Sequence, residues 1–408
     1  MSRRPAVIFA AALASLWLAG CGTIDRPADG VIRLTTQTWR PTDDPRIRAG
    51  DVVRVEALAE EIGARLWAAS EGRSILALSG GGANGAYGAG VLVGWTESGA
   101  RPEFSVVTGV STGALAAPFA FLGPEWDDEL HGAYAEGRTG GLLGWRSFAA
   151  LAAPGLFDSG VLKDLVEAYV TPELLRQIAI EHDKGRRLLI VTTNLDAQET
   201  VIWDMGVLAK QGGDQAVTLF REVLLASASI PGVFPPVMIP GVDGQGRLVE
   251  EMHVDGGVIT PFLGIPESLL TVTTPTQAPE GTALYVLING QIARTEVITR
   301  GTLPAILARA YDTMSKANLR TSLAVNLAFA ERNGMSLHVA AIPEGIEASS
   351  LDFDPASMSE LFERGRNAAA AGAAWTKLEG PVPEPTAAPV ELDPPATPAE
   401  SPPVTPGE

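Results

Sequence analysis

A chain of 408 residues with 46% hydrophobic and 19% charged side chains is long enough to bury one large core. Its net charge of −18 argues against a nucleic-acid partner, because affinity for a phosphate backbone comes largely from Lys and Arg displacing counterions. The single cysteine, Cys21, excludes an internal disulfide.

The chain begins with a short positive patch, Arg3 and Arg4, followed by an apolar run from Ala6 to Ala19 that is too short to span a bilayer comfortably. Residues 1–20 read as a signal peptide. Its end, Leu18-Ala19-Gly20-Cys21, resembles the bacterial lipobox, which implies that Cys21 is acylated and anchors the protein to an envelope membrane. Gly22 in place of an aspartate implies sorting to the outer membrane. Residues 21–72 are expected to form a polar tether, reaching to about Ala49, and an amphipathic helix near Val53 to Ala69. Val55, Leu58, Ala59, Ile62 and Leu66 share one side of that helix.

Residues 73–345 carry the pattern of one α/β domain. Ile75 to Leu78, Phe104 to Thr108, Leu188 to Thr193, Leu284 to Ile288 and Leu337 to Ala341 are short apolar runs that predict buried strands. Helical patterns fill the gaps, so the sheet is expected to be mainly parallel. One such helix runs from Leu303 to about Ala330, where Leu303, Ile306, Leu307, Ala310, Tyr311 and Met314 lie on a single face. Residues 346–378 predict a further, Ala-rich helix near Ser357 to Trp375. Residues 379–408 hold ten prolines from Pro381 to Pro406, a composition that builds no core.

Two loops carry the chemistry. Ser79-Gly80-Gly81-Gly82-Ala83-Asn84-Gly85 follows the first of these strands and leads into a helix, so its N–H groups can approach an anion closely. Gly80, Gly82 and Gly85 also fit a dinucleotide-binding fingerprint, and the loop alone does not choose. The next strand does. It ends Val107-Thr108-Gly109 with no acidic residue to hold a ribose, and continues as Gly109-Val110-Ser111-Thr112-Gly113 into apolar Ala114 to Leu122. That is the strand, tight turn and helix of a nucleophile elbow, with Gly109 and Gly113 flanking Ser111. Pro118 predicts a kink or an early end to the helix.

The glycine loop, the serine turn and Asp255-Gly256-Gly257, in that order, resemble the patatin-like phospholipase family, and Ala226 to Pro236 is similar to the family segment upstream of Asp-Gly. The resemblance implies a three-layer α/β/α domain and a Ser111–Asp255 dyad, with Gly80, Gly81 and Gly82 forming an oxyanion hole. It also implies hydrolysis of acyl esters of membrane phospholipids, of phospholipase A or lysophospholipase type, without metal or cofactor. A broader esterase or thioesterase, and a catalytically silent lipid-binding lipoprotein, are the competing readings. Asn84 departs from the family, whose members often carry Arg or Lys there. A side chain at Gly81 is expected to abolish activity without unfolding the chain.

Four histidines compete with Asp255 as the base: His131, His182, His253 and His338. His253 is the closest rival, two positions before Asp255 on an extended segment. Side chains two apart on a strand stand about 6.5 to 7 Å from each other, too far for the aspartate to orient the imidazole. Trp126, Tyr134, Trp145, Phe148, Leu156 and Phe157 form an aromatic segment expected mainly to pack in the core, with a lid over an acyl pocket as the alternative.

Overall fold

The computed structural model describes residues 44–68, 73–136, 159–242, 248–270, 277–294, 297–346 and 348–380. Cys21, the apolar leader, Trp145, Phe148, Leu156, Phe157 and the Pro-rich tail from Pro381 lie outside the described residues.

The order of elements is β1 (Arg46–Arg48), α1 (Val52–Ala68), β2 (Ser74–Leu78), α2 (Gly85–Glu97), β3 (Phe104–Val110), α3 (Thr112–Leu122) and α4 (Asp127–Tyr134). Next come α5 (Gly160–Tyr169), α6 (Pro172–Asp183), β4 (Arg187–Asn194), β5 (Glu199–Asp204), α7 (Met205–Gln211) and α8 (Gly213–Ser227). The remainder is β6 (Val237–Val242), β7 (Leu248–Asp255), α9 (Glu267–Leu270), β8 (Ala283–Ile288), α10 (Leu303–Arg332), β9 (Ser336–Ala341), α11 (Pro355–Ala370) and β10 (Thr376–Lys377).

The sheet runs β1-β5-β4-β3-β2-β8-β9-β10. Its inner strands β4, β3, β2, β8 and β9 are parallel, and the antiparallel pairings lie outside them. β7 pairs with the last residues of β4 and carries β6 on its other side. Alternate residues of each inner strand enter opposite cores, as the two-residue repeat of a strand requires. Leu76, Leu78, Leu188 and Ile190 pack under α2, α3, α8 and α11. Ile75, Ala77, Leu189 and Val191 pack under α1 and the C-terminal half of α10. This is the three-layer α/β/α architecture, with its predicted mainly parallel centre.

Three local expectations differ. Arg46–Arg48 are not tether but an edge strand on β5, held by the Arg46 guanidinium on Asp44 and by Arg48 bridging Glu199 and Glu251. α3 continues through Pro118 to Leu122, because the helix is buried along its length and its packing outweighs one missing hydrogen bond. The helix after residue 346 stops at Ala370, and Trp375 instead packs against Trp95 and Tyr285.

Candidate active site

Ser111 sits between the end of β3 and the first residue of α3 with φ 56° and ψ −126°, one of two non-glycine residues with positive φ among those described. Such a conformation costs roughly 1–3 kcal/mol and persists only where its surroundings enforce it. Here they do. A Cβ on Gly109 would stand 2.6 Å from the Ala114 Cα, and one on Gly113 would stand 2.6 Å from the carbonyl oxygens of Leu78 and Ser79. The two flanking glycines therefore allow α3 to fold back over β3 and press against the end of β2. The Ser111 N–H donates to the Ser227 hydroxyl at 3.0 Å, and that hydroxyl donates to the Val191 carbonyl at 2.6 Å. Ser227 thus ties the turn to the end of α8 and to β4.

Asp255 ends β7, opposite Thr192 of β4. Its N–H donates to the Ser229 carbonyl at 2.9 Å, and its Oδ1 accepts the Gly257 N–H at 2.7 Å. Gly256 is required by close approach, since a Cβ there would stand 2.5 Å from the Val191 carbonyl oxygen. Ser111 and Asp255 are both buried, and the Ser111 hydroxyl lies within hydrogen-bonding reach of the Asp255 carboxylate. Burial pushes the Asp255 carboxyl up to about 7, against the opposing pull of Ser111 and the Gly257 N–H. The run from Ala226 to Pro236, whose role could not be read from sequence, braces both residues: Ser227 holds Ser111 and Ser229 holds Asp255.

The glycine loop lies against the serine, with a Cβ position on Gly80 only 3.1 Å from the Ser111 Cβ. The Gly80 N–H is engaged with the Pro261 carbonyl at 3.3 Å, so the three predicted donors narrow to two. The Gly81 and Gly82 N–H groups have no partner among the described residues. The loop is closed by the backbone, Asn84 N–H to the Gly81 carbonyl at 3.1 Å, and the Asn84 Oδ1 is buried without a partner. Asn289, missed in the sequence, fixes the loop from β8. Its N–H and Nδ2 donate to the Ser79 hydroxyl and carbonyl at 2.9 and 2.8 Å. A side chain on Gly81 would collide with the Asn289 carbonyl, so substitution there disturbs packing as well as chemistry, contrary to the expectation from sequence.

None of the four histidines contacts Ser111 or Asp255. His253 is fully buried, with Nδ1 2.9 Å from the Thr192 hydroxyl and Nε2 3.4 Å from Glu251. Thr192 also accepts the Trp203 indole N–H at 2.8 Å, so its own proton is free for Nδ1 and the Nε2 proton faces Glu251. His131 stands against Phe362, His182 beside Asp204, and His338 stacks on Tyr285.

A narrow apolar cleft leads away from Ser111 between Leu115, Phe119, Val166, Leu224, Phe234 and Met358. Tyr134, from the predicted aromatic segment, lines it and donates its hydroxyl to the Thr112 carbonyl at 2.8 Å. Trp126 is half-buried against Phe119. No group of His, Cys, Asp and Glu side chains able to hold a metal occurs among the described residues.

The family model for patatin-like phospholipase matches residues 76–264. No curated protein matches the chain. Among solved structures, the crystal structure of VipD from Legionella pneumophila is similar at 13% identity over 76% of this chain and 68% of that chain, with a TM-score of 0.36. At that score the likeness is slight, and the assignment rests on the matched segment. Because the glycine loop, the serine turn and the aspartate turn all fall inside it, the chain carries a patatin-like phospholipase domain, the fold of a lipid acyl hydrolase.

Proposed function

We propose that the protein cleaves carboxylic esters of membrane phospholipids or lysophospholipids, with Ser111 as nucleophile and Asp255 as general base. The observation that carries this reading is a strained, enforced serine within reach of one buried carboxylate, at the head of an apolar cleft. Ionised Asp255 accepts the Ser111 proton as Oγ attacks the acyl carbonyl carbon. The tetrahedral oxyanion takes hydrogen bonds from the Gly81 and Gly82 N–H groups, at the N-terminus of α3. Collapse breaks the ester C–O bond, and the leaving alkoxide receives the proton from Asp255. Water, deprotonated by Asp255, then attacks the acyl carbon; the bond to Ser111 Oγ breaks, Oγ recovers the proton from Asp255 and the fatty acid leaves. The cleft beyond Ser111 suits the acyl chain.

The same proposal takes residues 1–20 as a removable leader and Cys21 as a lipidated first residue that anchors the protein to the bacterial envelope, in the outer membrane; the lipobox-like Leu18-Ala19-Gly20-Cys21 supports it. Cys21→Ser is predicted to shift the protein from membrane to soluble or unprocessed fractions and to abolish palmitate-analogue labelling; labelling that persists contradicts the anchor. The test of function is fatty-acid release from phospholipids, lysophospholipids and short nitrophenyl esters by wild type and Ser111→Ala. Release from lipids that falls at least 10³-fold in the variant supports the reading. Turnover confined to short esters makes it a broad esterase or thioesterase, and none on any substrate makes it a binder.

A further inference from the structure

α10 is amphipathic twice, in opposite senses. Its C-terminal half buries Leu319, Leu323, Leu327 and Ala330 against the sheet. In its N-terminal half the apolar row is turned out: Leu303 is 69% exposed, Leu307 60% and Met314 71%, with Ile306 and Tyr311 also exposed. At 3.6 residues per turn this row lies about half a turn around the helix from the buried row, so it is no continuation of the core face. The side of the N-terminal half that follows the buried row is polar instead, with Asp312 paired to Arg309 at 3.1 Å and to Lys316 at 3.5 Å. The preceding segment adds Ile298, 97% exposed, and Val297. A contiguous patch of this kind marks an interaction surface rather than ordinary exposure.

Two observations identify the partner. In a protein of net −18, the segment that leads into the outward row carries Arg294 and Arg300, both exposed. Anionic headgroups fit these two guanidinium groups. The patch is also continuous with the candidate site. The Asn318 Nδ2 donates to the Ile259 carbonyl at 2.7 Å, tying α10 to the turn that follows Asp255.

We propose that Val297 to Met314 is a bilayer-docking surface, on which the outward row of α10 enters the headgroup–acyl boundary of an anionic membrane and delivers lipid to Ser111. The delivery step rests on the function proposed above; the docking does not. A helix with apolar side chains on its outward face and exposed arginines in the segment leading into it binds such an interface by both terms.

The test uses the full chain carrying Cys21→Ser, so that no acyl group contributes, and compares it with the same chain carrying also Leu303→Ser, Leu307→Ser and Met314→Ser. Flotation with phosphatidylcholine vesicles, with and without phosphatidylglycerol, reads docking. Release from vesicle phospholipid and from a soluble nitrophenyl ester reads delivery. The triple substitution is expected to weaken binding to phosphatidylglycerol vesicles at least tenfold and to slow vesicle hydrolysis alongside, leaving soluble-ester turnover within twofold. Equal vesicle binding by both chains overturns the proposal, as does a parent dimer that the substitutions turn into monomer, which assigns the face to a second copy. Vesicle binding that falls as expected, in a protein with no turnover on either ester, upholds docking while removing the catalytic reading.

Discussion

The Asp255 carboxyl holds two opposed requirements. Raised to about 7 by burial, it is a far stronger base than an aspartate in water, whose pKa is near 3.9. Only the ionised form can accept the Ser111 proton, so kcat/KM is predicted to rise about tenfold per pH unit below pH 7 and to level off above it; a profile flat from pH 5 to 8 contradicts this. Stability runs the other way. Between pH 4 and pH 7 the folded chain keeps a proton that the unfolded chain has lost, so stability falls as pH rises, by on the order of 4 kcal/mol once Asp255 is fully ionised. Asp255→Asn, which retains an acceptor for the Gly257 N–H, is therefore predicted to be inactive and to melt higher than wild type at pH 8, the gain vanishing near pH 4. Equal melting temperatures at pH 8 would remove the buried-charge account. Ser227 makes a second claim at this scale. Ser227→Ala leaves the Ser111 N–H and the Val191 carbonyl unpaired, which costs about 1–3 kcal/mol for each buried group and loosens the turn. Its kcat is predicted to fall at least tenfold with KM within threefold; a stability loss with kcat unchanged would make Ser227 merely structural.

Elements buried on both faces could be read from sequence, because a strand covered by helices on each side is an unbroken apolar run. Ile75 to Leu78 and Leu284 to Ile288 are of this kind, and the structure places them at the centre of the sheet. The strands β5 and β7 did not show themselves, since Glu199, Glu250, Glu251 and His253 interrupt their apolar pattern. Glu251 is tolerated there because Arg48 bridges it to Glu199 and His253 faces it, contacts between residues up to 203 positions apart that no local pattern announces. Ser111, Asp255 and their glycines were legible for the opposite reason: tight turns and close approaches demand particular residues at fixed spacing. Ser227 and Asn289 act through long-range hydrogen bonds, and serine and asparagine carry no spacing of their own. The periodicity of α10 could be read from the sequence and its direction could not, because period alone does not say which side meets the core. At Gly81 the element scale dominates. Gly81→Ala is predicted to lower stability by about 2 kcal/mol or more through the collision with Asn289, read as a shift in urea midpoint, and an unshifted midpoint contradicts that packing.

Across the whole molecule, the sheet sets one serine and one carboxylate together along β4, where β3 pairs with the residues up to Val191 and β7, about 140 residues further along the chain, pairs with Thr192 to Asn194. The site therefore depends on the complete three-layer fold. On the readings proposed above, exposed Arg294 and Arg300 before α10 and a lipidated Cys21 would together orient that fold toward lipid. All of this turns on Ser111 being a nucleophile activated by Asp255. Its most direct measurement is covalent labelling with an alkyl fluorophosphonate, followed by peptide mass spectrometry, on wild type, Asp255→Asn and His253→Gln, each normalised to folded protein. A single adduct on the peptide containing Ser111, formed by wild type and His253→Gln and lost in Asp255→Asn, is the predicted result. An adduct on another residue, or labelling of Asp255→Asn at the wild-type rate, would contradict it.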